Sequence, residues 1–228
     1  ERDGYQMAIA QAIGGNITLL RVQVDTGSTE VELVRALTER QVTGQFVGST
    51  ESQVSVDYTE AGDSTATLIV RETQPNPYPL LEAIGRGRLR LELPPGVALD
   101  VDFQGANGQA SLNLSGLAIE RLNMDLRLGD ALVTLPAYDP QASPEDAVLG
   151  VLAARDGDVT LFVPDTVAAR LELAGGSGLA PQYDAGLYNL LANGVLEARN
   201  YDTFSIKLRY VIEAPRGQVS LQVVEAGT

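Results

Sequence analysis

The feature that most constrains the fold is a period-two alternation of apolar and polar side chains across residues 99–135. Four short runs carry it, with apolar positions at Leu99, Val101 and Phe103, at Ala110, Leu112 and Leu114, at Leu122, Met124 and Leu126, and at Ala131, Val133 and Leu135. Because successive side chains of a β-strand point to opposite faces, each run is predicted to be a strand with one apolar face. The Gly-, Asn- and Asp-containing segments between the runs are predicted to be turns, since glycine reaches positive φ without steric cost.

The strands begin about every ten residues, a spacing typical of all-β folds. A sandwich, a barrel and a solenoid would all show this spacing. The apolar positions are almost all Leu, Val, Ile and Ala, which favours rungs that stack like on like. A sandwich core usually has a bulky aromatic anchor, whereas this chain has no Trp and only four Phe. We therefore predict an all-β fold: a single-stranded, β-solenoid-like stack of short rungs with a smaller N-terminal β domain.

The predicted boundary between the two domains lies at Pro75-Asn76-Pro77-Tyr78-Pro79. Prolines at this density cannot continue a sheet and form a stiff, extended connector. We assign residues 1–74 to the N-terminal β-rich domain and residues 80–228 to the repetitive solenoid domain. A second proline-marked segment, 136–148, interrupts the repeat before rungs resume at 159–163 and 169–173.

Turn signals predict three hairpins, and two segments stay open between helix and strand. The hairpin turns are residues 25–28, between 17–24 and 31–34; residues 60–63, between 53–58 and 65–71; and residues 214–217, between 206–212 and 219–223. Each of these turns is rich in Gly, Asp, Ser or Pro, which favour reversal of the chain. Residues 5–13 and 34–41 have a composition compatible with helix but carry no clear caps.

The net charge of −14 excludes several classes of partner. A nucleic acid would be repelled, as would an anionic membrane surface. No stretch of about eighteen apolar residues exists, so this segment is not expected to insert into a membrane. The chain begins at Glu1, and we expect a membrane anchor or leader upstream of it and an extracytoplasmic location.

The absence of histidine and cysteine removes the commonest catalytic and metal-binding groups. Histidine is the usual general base and metal ligand, and cysteine supplies thiolates and disulfides. We predict no catalytic residue, no metal site and no cofactor. The glycine clusters near residues 105 and 175 do not indicate phosphate loops, because no Gly-Lys-Ser/Thr and no helical pattern follow them.

Acidic residues offer the nearest approach to a reactive site. Asp100 and Asp102 share one strand face, with Asp125 on a neighbouring run. Paired carboxylates can perform acid–base chemistry on a sugar or hold Ca²⁺, but charged outer faces are routine in β-sheets, and we favour that interpretation. The Gly-Asp pairs at residues 129–130 and 156–158 are predicted to be turns.

Three tyrosines in the two longest loops, Tyr138, Tyr183 and Tyr188, are the candidate ligand-binding residues. An exposed tyrosine can stack on a sugar or anchor a protein partner. A loop tyrosine can equally pin the loop to the body of the protein.

Several segments resemble the toastrack group of putative adhesins. The carrying segments are LELPPGVALDVDFQGANGQASLNLSGLAIERLNMDLRLGDALVTLP, LAARDGDVTLFVP, ARLELAGGSGL and NYDTFSIKLRYVIEAPRGQVSLQV, and TGSTEVEL with GQFVGSTESQVSVDYTEAGDSTATLIVRE resembles the N-terminal domain that precedes the rack. The resemblance implies a rack-like β-solenoid in an envelope or extracytoplasmic setting, often behind a membrane anchor. It implies no catalytic motif, so no functional residue is carried over.

From these observations we expect a non-enzymatic cell-envelope module that serves in adhesion, scaffolding or sensing. Its expected partner is a protein or glycan of the envelope, with self-association through the ends of the stack as a corollary. The alternative is a carbohydrate-active β-helix enzyme, a lyase or hydrolase, that uses surface carboxylates such as Asp102.

Overall fold

The computed structural model describes residues 5–48, 52–73, 87–144, 147–175 and 179–226, which consist of strands, turns and loops. The strands are β1 (Tyr5–Ala12), β2 (Leu19–Arg35), β3 (Gln41–Gly48), β4 (Gln53–Glu60), β5 (Thr65–Thr73), β6 (Gly87–Leu93), β7 (Ala98–Asn107), β8 (Ala110–Asn113), β9 (Ala118–Leu126), β10 (Ala131–Thr134), β11 (Val151–Ala154), β12 (Val159–Pro164), β13 (Val167–Ala174), β14 (Tyr188–Leu190), β15 (Val195–Ala198), β16 (Ile206–Glu213) and β17 (Val219–Val224). A 3₁₀ turn, Tyr201–Thr203, precedes β16. Within these ranges no helix has the length and apolar character needed to cross a bilayer.

The strands form two sheets that share the long strand β2. Sheet A has the order β1-β3-β6-β2-β8-β10-β12-β17. Sheet B has the order β4-β5-β2-β7-β9-β11-β16-β13-β15-β14. The first half of β2 pairs in sheet B and the second half, Thr29–Arg35, pairs in sheet A. β2 therefore spans both sheets as one continuous rung.

The other rungs each contribute one strand to sheet B and one to sheet A. Their stacking order is β5 with β6, then β2, β7 with β8, β9 with β10, β11 with β12, and β16 with β17. All of these pairings are parallel, and in the described part of the chain antiparallel strands occur only towards the two ends of the stack. The prediction of an all-β stack of short rungs is thus confirmed.

The core consists of the aliphatic side chains that alternate along the rungs. Leu99, Val101 and Phe103 of β7 are buried, as are the corresponding residues of β8, β9 and β10. Each rung covers the apolar face of the next, so the interior is one continuous cluster that runs through the stack. The four strands predicted in residues 99–135 are confirmed.

Glycines mark one corner of the stack, where the chain passes from sheet B to sheet A. Gly108, Gly129, Gly157 and Gly217 occupy this corner in successive rungs. An added Cβ at Gly129, Gly157 or Gly217 would overlap the carbonyl oxygen of the glycine in the rung before it. Only a residue without a side chain permits this approach. We call these four residues the corner glycines.

Aspartates beside the corner glycines connect one rung to the next. The Asp158 backbone N–H donates to Asp130 Oδ1 at 2.9 Å, and the Gln218 backbone N–H donates to Asp158 Oδ1 at 2.7 Å. These carboxylates satisfy backbone donors that the turn leaves outside the sheet ladder. The Gly-Asp pairs are therefore structural turn elements, as predicted.

Of the three predicted hairpins, the one around residues 60–63 is confirmed and the other two are wrong. β4 and β5 pair antiparallel around residues 60–63. Residues 25–28 stay extended inside β2, because each half of this strand has parallel partners on both sides. β16 and β17 also do not pair with each other; residues 214–217 turn the chain from sheet B into sheet A.

The segments left open between helix and strand are not helical. Residues 5–12 form β1, which pairs antiparallel with β3 over its whole length. Residues 34–35 end β2, residues 36–40 form a turn region, and Gln41 begins β3. Pairing partners outside the segment decided the conformation, which local composition left undetermined.

The predicted domain boundary falls within residues 74–86, outside the described residues, and the two-domain division stays a prediction. In the described residues β2 lies between β5 and β7 in sheet B and between β6 and β8 in sheet A. The buried cluster includes Leu20 and Val22 together with Leu99 and Val101. The N-terminal strands and the central repeat therefore share one core.

Candidate binding face

The outer surface of sheet B is built mainly from polar side chains that alternate with the core residues of β5, β2, β7 and β9. The parallel register aligns them in three rows: Thr67, Arg21, Asp100 and Arg121; Ile69, Gln23, Asp102 and Asn123; and Arg71, Asp25, Gln104 and Asp125. Arg127, directly after β9, and Arg155, directly after β11, extend this surface. We call these residues together the arginine face.

Two hollows lie on the arginine face. The larger is a groove of about 540 Å³, whose lining includes Asp25, Arg71, Asp125, Arg127 and Arg155. Gly27 and Ala106 also line it, and their small size leaves room between the longer side chains. The smaller hollow, of about 240 Å³, is lined by residues of the first two rows, with Arg21 and Arg121 among them. A ligand on this surface would meet guanidinium groups in both hollows.

The carboxylates of the groove are already bound by neighbouring donors. Arg155 holds Asp125 through two hydrogen bonds, Nε to Oδ1 at 2.8 Å and Nη2 to Oδ2 at 2.6 Å. This bidentate pair lowers the pKa of Asp125, against the smaller opposing effect of burial. Arg71 Nε donates to Asp25 Oδ2 at 3.2 Å.

The remaining acid of the groove, Glu72, is bound in the same way. Its Oε2 accepts the Gly27 backbone N–H at 2.7 Å, and its Oε1 accepts the Ser52 hydroxyl. All three carboxylates that line the groove therefore have donors within the protein.

Three arginines of the face have no such partner. Within the described residues, the side chains of Arg21, Arg121 and Arg127 form no hydrogen bond and no ion pair, and all three are exposed. Among the residues that the structure describes, seven other arginines form ion pairs, namely Arg71, Arg88, Arg90, Arg155, Arg170, Arg209 and Arg216. In a chain of net charge −14, the arginine face thus concentrates guanidinium groups that are available to a ligand.

Asp100 lies between Arg21 and Arg121 in the first row, and its carboxylate is incompletely bonded. Its Oδ1 atom is buried and has no hydrogen-bond partner among the described residues. Burial raises the pKa of Asp100, and the charges of Arg121 and Arg21 offset part of that rise. The site thus holds a carboxylate whose ionised form is poorly solvated.

We expect Asp100→Asn to raise the free energy of unfolding at neutral pH by about 1 kcal/mol, because the amide carries no charge to desolvate. Since the pKa of Asp100 is raised in the folded protein, the cost of the ionised form is present above that pKa. The cost disappears as the pH falls and the carboxyl is protonated. Urea unfolding at several pH values checks this, with the exposed Asp57 changed to Asn as the matched control. A gain that persists unchanged at acidic pH would contradict the assignment.

Asp100 and Asp102 lie on one strand face, as predicted. Asp125 lies on the neighbouring strand β9, opposite Gln104 and therefore one row beyond Asp102. Among the described residues no group of three or more Asp and Glu side chains lies close enough to hold a metal ion.

Tyr138, one of the predicted ligand-binding residues, is bonded to the body of the protein. Its hydroxyl donates to Glu120 Oε1 at 2.6 Å, and burial, followed by this hydrogen bond, raises its pKa. Glu120, only 4% exposed, also accepts the backbone N–H groups of Gln141 (to Oε1, 3.2 Å) and Ala142 (to Oε2, 2.8 Å). Glu120 thus binds the loop after β10 at three points.

A β-bulge directs Glu120 towards this loop. In the pairing of β7 with β9, Leu99 lies opposite Ile119 and Asp100 lies opposite Arg121, so Glu120 is the extra residue. A bulge re-aims one side chain, and the alternation of exposed and buried residues resumes at Arg121.

The other two predicted tyrosines lie against the core. Tyr188 begins β14 and is 3% exposed, and burial raises its pKa to about 12. Tyr183 is partly buried against the same cluster. Tyr188 was predicted to lie in a loop, and the structure places it in a strand instead. A ligand-binding role of the three tyrosines stays a prediction.

Sequence reasoning missed the arginine face. A signal was present, since Arg21 and Arg121 occupy outward positions of alternating runs. Which arginines lack a partner depends on the register between distant strands, which the alternation does not specify.

Comparison with known families identifies related sequences and folds. The sequence model of the N-terminal domain of toast_rack, DUF2154, matches residues 2–162. The fold is similar to that of a putative cell adhesion protein from Clostridium sporogenes ATCC 15579, with a TM-score of 0.79 and 13% identity over 97% of this chain and 100% of that chain. A putative adhesin from Bacteroides fragilis NCTC 9343 aligns over 97% of this chain and 99% of that chain at 9% identity, with a TM-score of 0.32 that supports no structural argument. No curated protein matches the sequence.

Proposed function

The chain belongs to the family of the N-terminal domain of toast_rack, and from this premise we propose that it is a non-enzymatic binding module of the cell envelope that engages its ligand through the arginine face. The observation that carries the proposal is the group of exposed arginines that form no hydrogen bond and no ion pair, Arg21, Arg121 and Arg127. Unpaired guanidinium groups that converge on hollows are available for recognition of a ligand. The name of the Clostridium protein, a putative cell adhesion protein, supports adhesion as the setting.

The rigidity of the scaffold also supports a binding role. The strands that carry the face are each hydrogen-bonded on both sides within sheet B. Side chains on paired strands are held in place before a ligand arrives, which lowers the entropic cost of binding.

One observation favours the alternative, a carbohydrate-active enzyme. Asp100 has a raised pKa and lies beside Asp102 on the same strand face, and glycosidases use one protonated and one ionised carboxyl group. The two functions differ in whether a bound glycan is cleaved.

The test measures binding and cleavage on the same immobilised panel of neutral glycans, acidic glycans and peptidoglycan. We expect binding without release of reducing ends. The triple variant Arg21→Gln, Arg121→Gln, Arg127→Gln is expected to lose binding, whereas Arg88→Gln, an exposed arginine paired with Glu30 in sheet A, is expected to keep it. Turnover that Asp102→Asn abolishes would establish the enzyme instead, and a failure to bind any member of the panel would contradict the binding function.

A further inference from the structure

We propose that the arginine face recognises a glycan that carries spaced carboxylate groups, such as a polymer in which uronic acid units alternate with neutral sugars. This inference rests on the proposed binding function and adds the chemical class of the ligand.

The unpaired arginines are placed at intervals that suit an extended ligand. Arg21 and Arg121 lie on either side of β7 in one row, so their backbones are two strand spacings, about 10 Å, apart. Arg127 lies six residues beyond Arg121, towards the corner glycines, which is about 20 Å along the strand direction. Groups at these intervals contact separate units of a chain rather than one small ion. Each planar guanidinium can bind a carboxylate through two parallel hydrogen bonds.

The charge balance of the face favours carboxylates that are spaced rather than dense. Arg21, Arg71, Arg121, Arg127 and Arg155 are offset by Asp25, Asp100, Asp102, Asp125 and Glu72, so the surface is locally neutral. The whole chain carries −14, and a densely charged polyanion would be repelled as it approached. An isolated carboxylate can reach an unpaired arginine because the negative charges elsewhere on the protein are screened beyond about 8–10 Å at physiological salt.

The neighbours of the arginines suit a sugar better than a protein partner. Gln23 and Asn123 lie in the second row and Gln104 lies in the third, beside the row of Arg21 and Arg121, and amides both donate to and accept from hydroxyl groups. The one aromatic residue on β5, β2, β7 and β9 is Phe103, which is buried. A protein interface usually depends on exposed aromatic anchors, which these four strands lack, and recognition of a sugar here rests on hydrogen bonds rather than on ring stacking.

The backbone of the face is closed to an added peptide strand. β2 pairs with β5 and β7, and β9 pairs with β7 and β11. An extended peptide binds by adding to a free sheet edge, and the strands of this face have none. Recognition at this surface therefore depends on side chains, as in the binding of a polyhydroxylated chain.

The experiment measures the affinity of the whole chain for defined hyaluronan oligosaccharides, which carry one carboxylate per disaccharide, by isothermal titration calorimetry. The matched ligand is the same oligosaccharide with its carboxyl groups reduced to alcohols. We expect binding of the acidic form and at least about tenfold weaker binding of the reduced form. Each single change of Arg21, Arg121 or Arg127 to Gln is expected to weaken binding about three- to tenfold, and Arg88→Gln is expected to leave it unchanged.

Further ligands separate this inference from the binding function itself. Equal affinity for the reduced oligosaccharide, or binding that the three arginine variants leave intact, would overturn the inference. A preference for poly-glutamate would assign the face to an acidic protein partner, and a preference for dextran sulfate would assign it to sulfate. In both cases the ligand class proposed here is wrong while the binding function stands. Binding of neutral glycans alone has the same consequence, whereas cleavage of any glycan overturns the binding function as well.

Discussion

Replacing Gly157 by alanine is expected to lower the free energy of unfolding by about 3 kcal/mol or more. A Cβ at this position would overlap the backbone carbonyl oxygen of Gly129 in the preceding rung, and a backbone atom held by a sheet cannot move aside as a side chain would. The rungs must separate locally or the corner must distort, as in an overpacked core. For a chain of this size the loss corresponds to a fall in Tm of about 6–12 °C, which a thermal melt followed by circular dichroism measures.

Two other glycines separate the possible causes of this loss. Gly62, in the turn of the β4–β5 hairpin, has open space around its missing Cβ and no positive φ, so Gly62→Ala is expected to have little effect. Gly96 also has open space but adopts a φ of +80°, so Gly96→Ala reports the backbone cost alone, about 1 kcal/mol. If Gly157→Ala destabilises no more than Gly96→Ala, close packing at the corner does not determine the stability of the stack.

Glu120→Ala is expected to destabilise the protein by about 3 kcal/mol and to release the loop after β10. The substitution leaves the Tyr138 hydroxyl and the backbone N–H groups of Gln141 and Ala142 without their acceptor. Hydrogen bonds to a charged group contribute about 1.5–3 kcal/mol each, part of which water recovers when the loop opens. Hydrogen exchange is expected to show loss of protection at the amides of Gln141 and Ala142.

Tyr138→Phe removes a single hydrogen bond to Glu120 and is expected to cost about half as much. Glu39→Ala, at an exposed position in the turn before β3, serves as the control and is expected to stay within about 0.5 kcal/mol of the wild type. Retained amide protection in Glu120→Ala would show that the loop is ordered without this carboxylate, and the buried position of Glu120 would then need another explanation.

The positions of the strands were largely predictable because they depend on local geometry. Side chains of an extended backbone alternate between two faces, and the alternation in residues 99–135 marks β7, β8, β9 and β10 directly. The hairpin around residues 60–63 was equally predictable, since its two strands are neighbours in sequence.

The pairing of the strands was less predictable. Residues 25–28 and 214–217 both carry strong turn signals, yet neither joins two strands that pair with each other. A turn residue permits a change of direction but does not select the partner of the following strand. In a parallel stack that partner is another rung, distant in sequence, whose aliphatic face differs little from the alternatives.

The candidate site depends on the same long-range information. Arginines at outward positions are visible in the sequence, but their lack of hydrogen-bond and ion-pair partners follows from the alignment of β2, β7 and β9 across about one hundred residues of chain. The role of Glu120 follows from one extra residue in β9, which places a charged side chain in the buried position from which it binds Tyr138.

The sequence by itself determined that this chain is all-β, where most of its strands lie, and that histidine and cysteine chemistry has no place in it. The tertiary structure alone decided that β2 lies between the rung of β5 and β6 and the rung of β7 and β8. It also decided that β16 lies between β11 and β13 in sheet B, and that Arg21, Arg121 and Arg127 share one face. The physical reason is that alternation is a property of each extended residue, whereas stacking order is decided by hydrogen bonds and packing between rungs far apart in the chain.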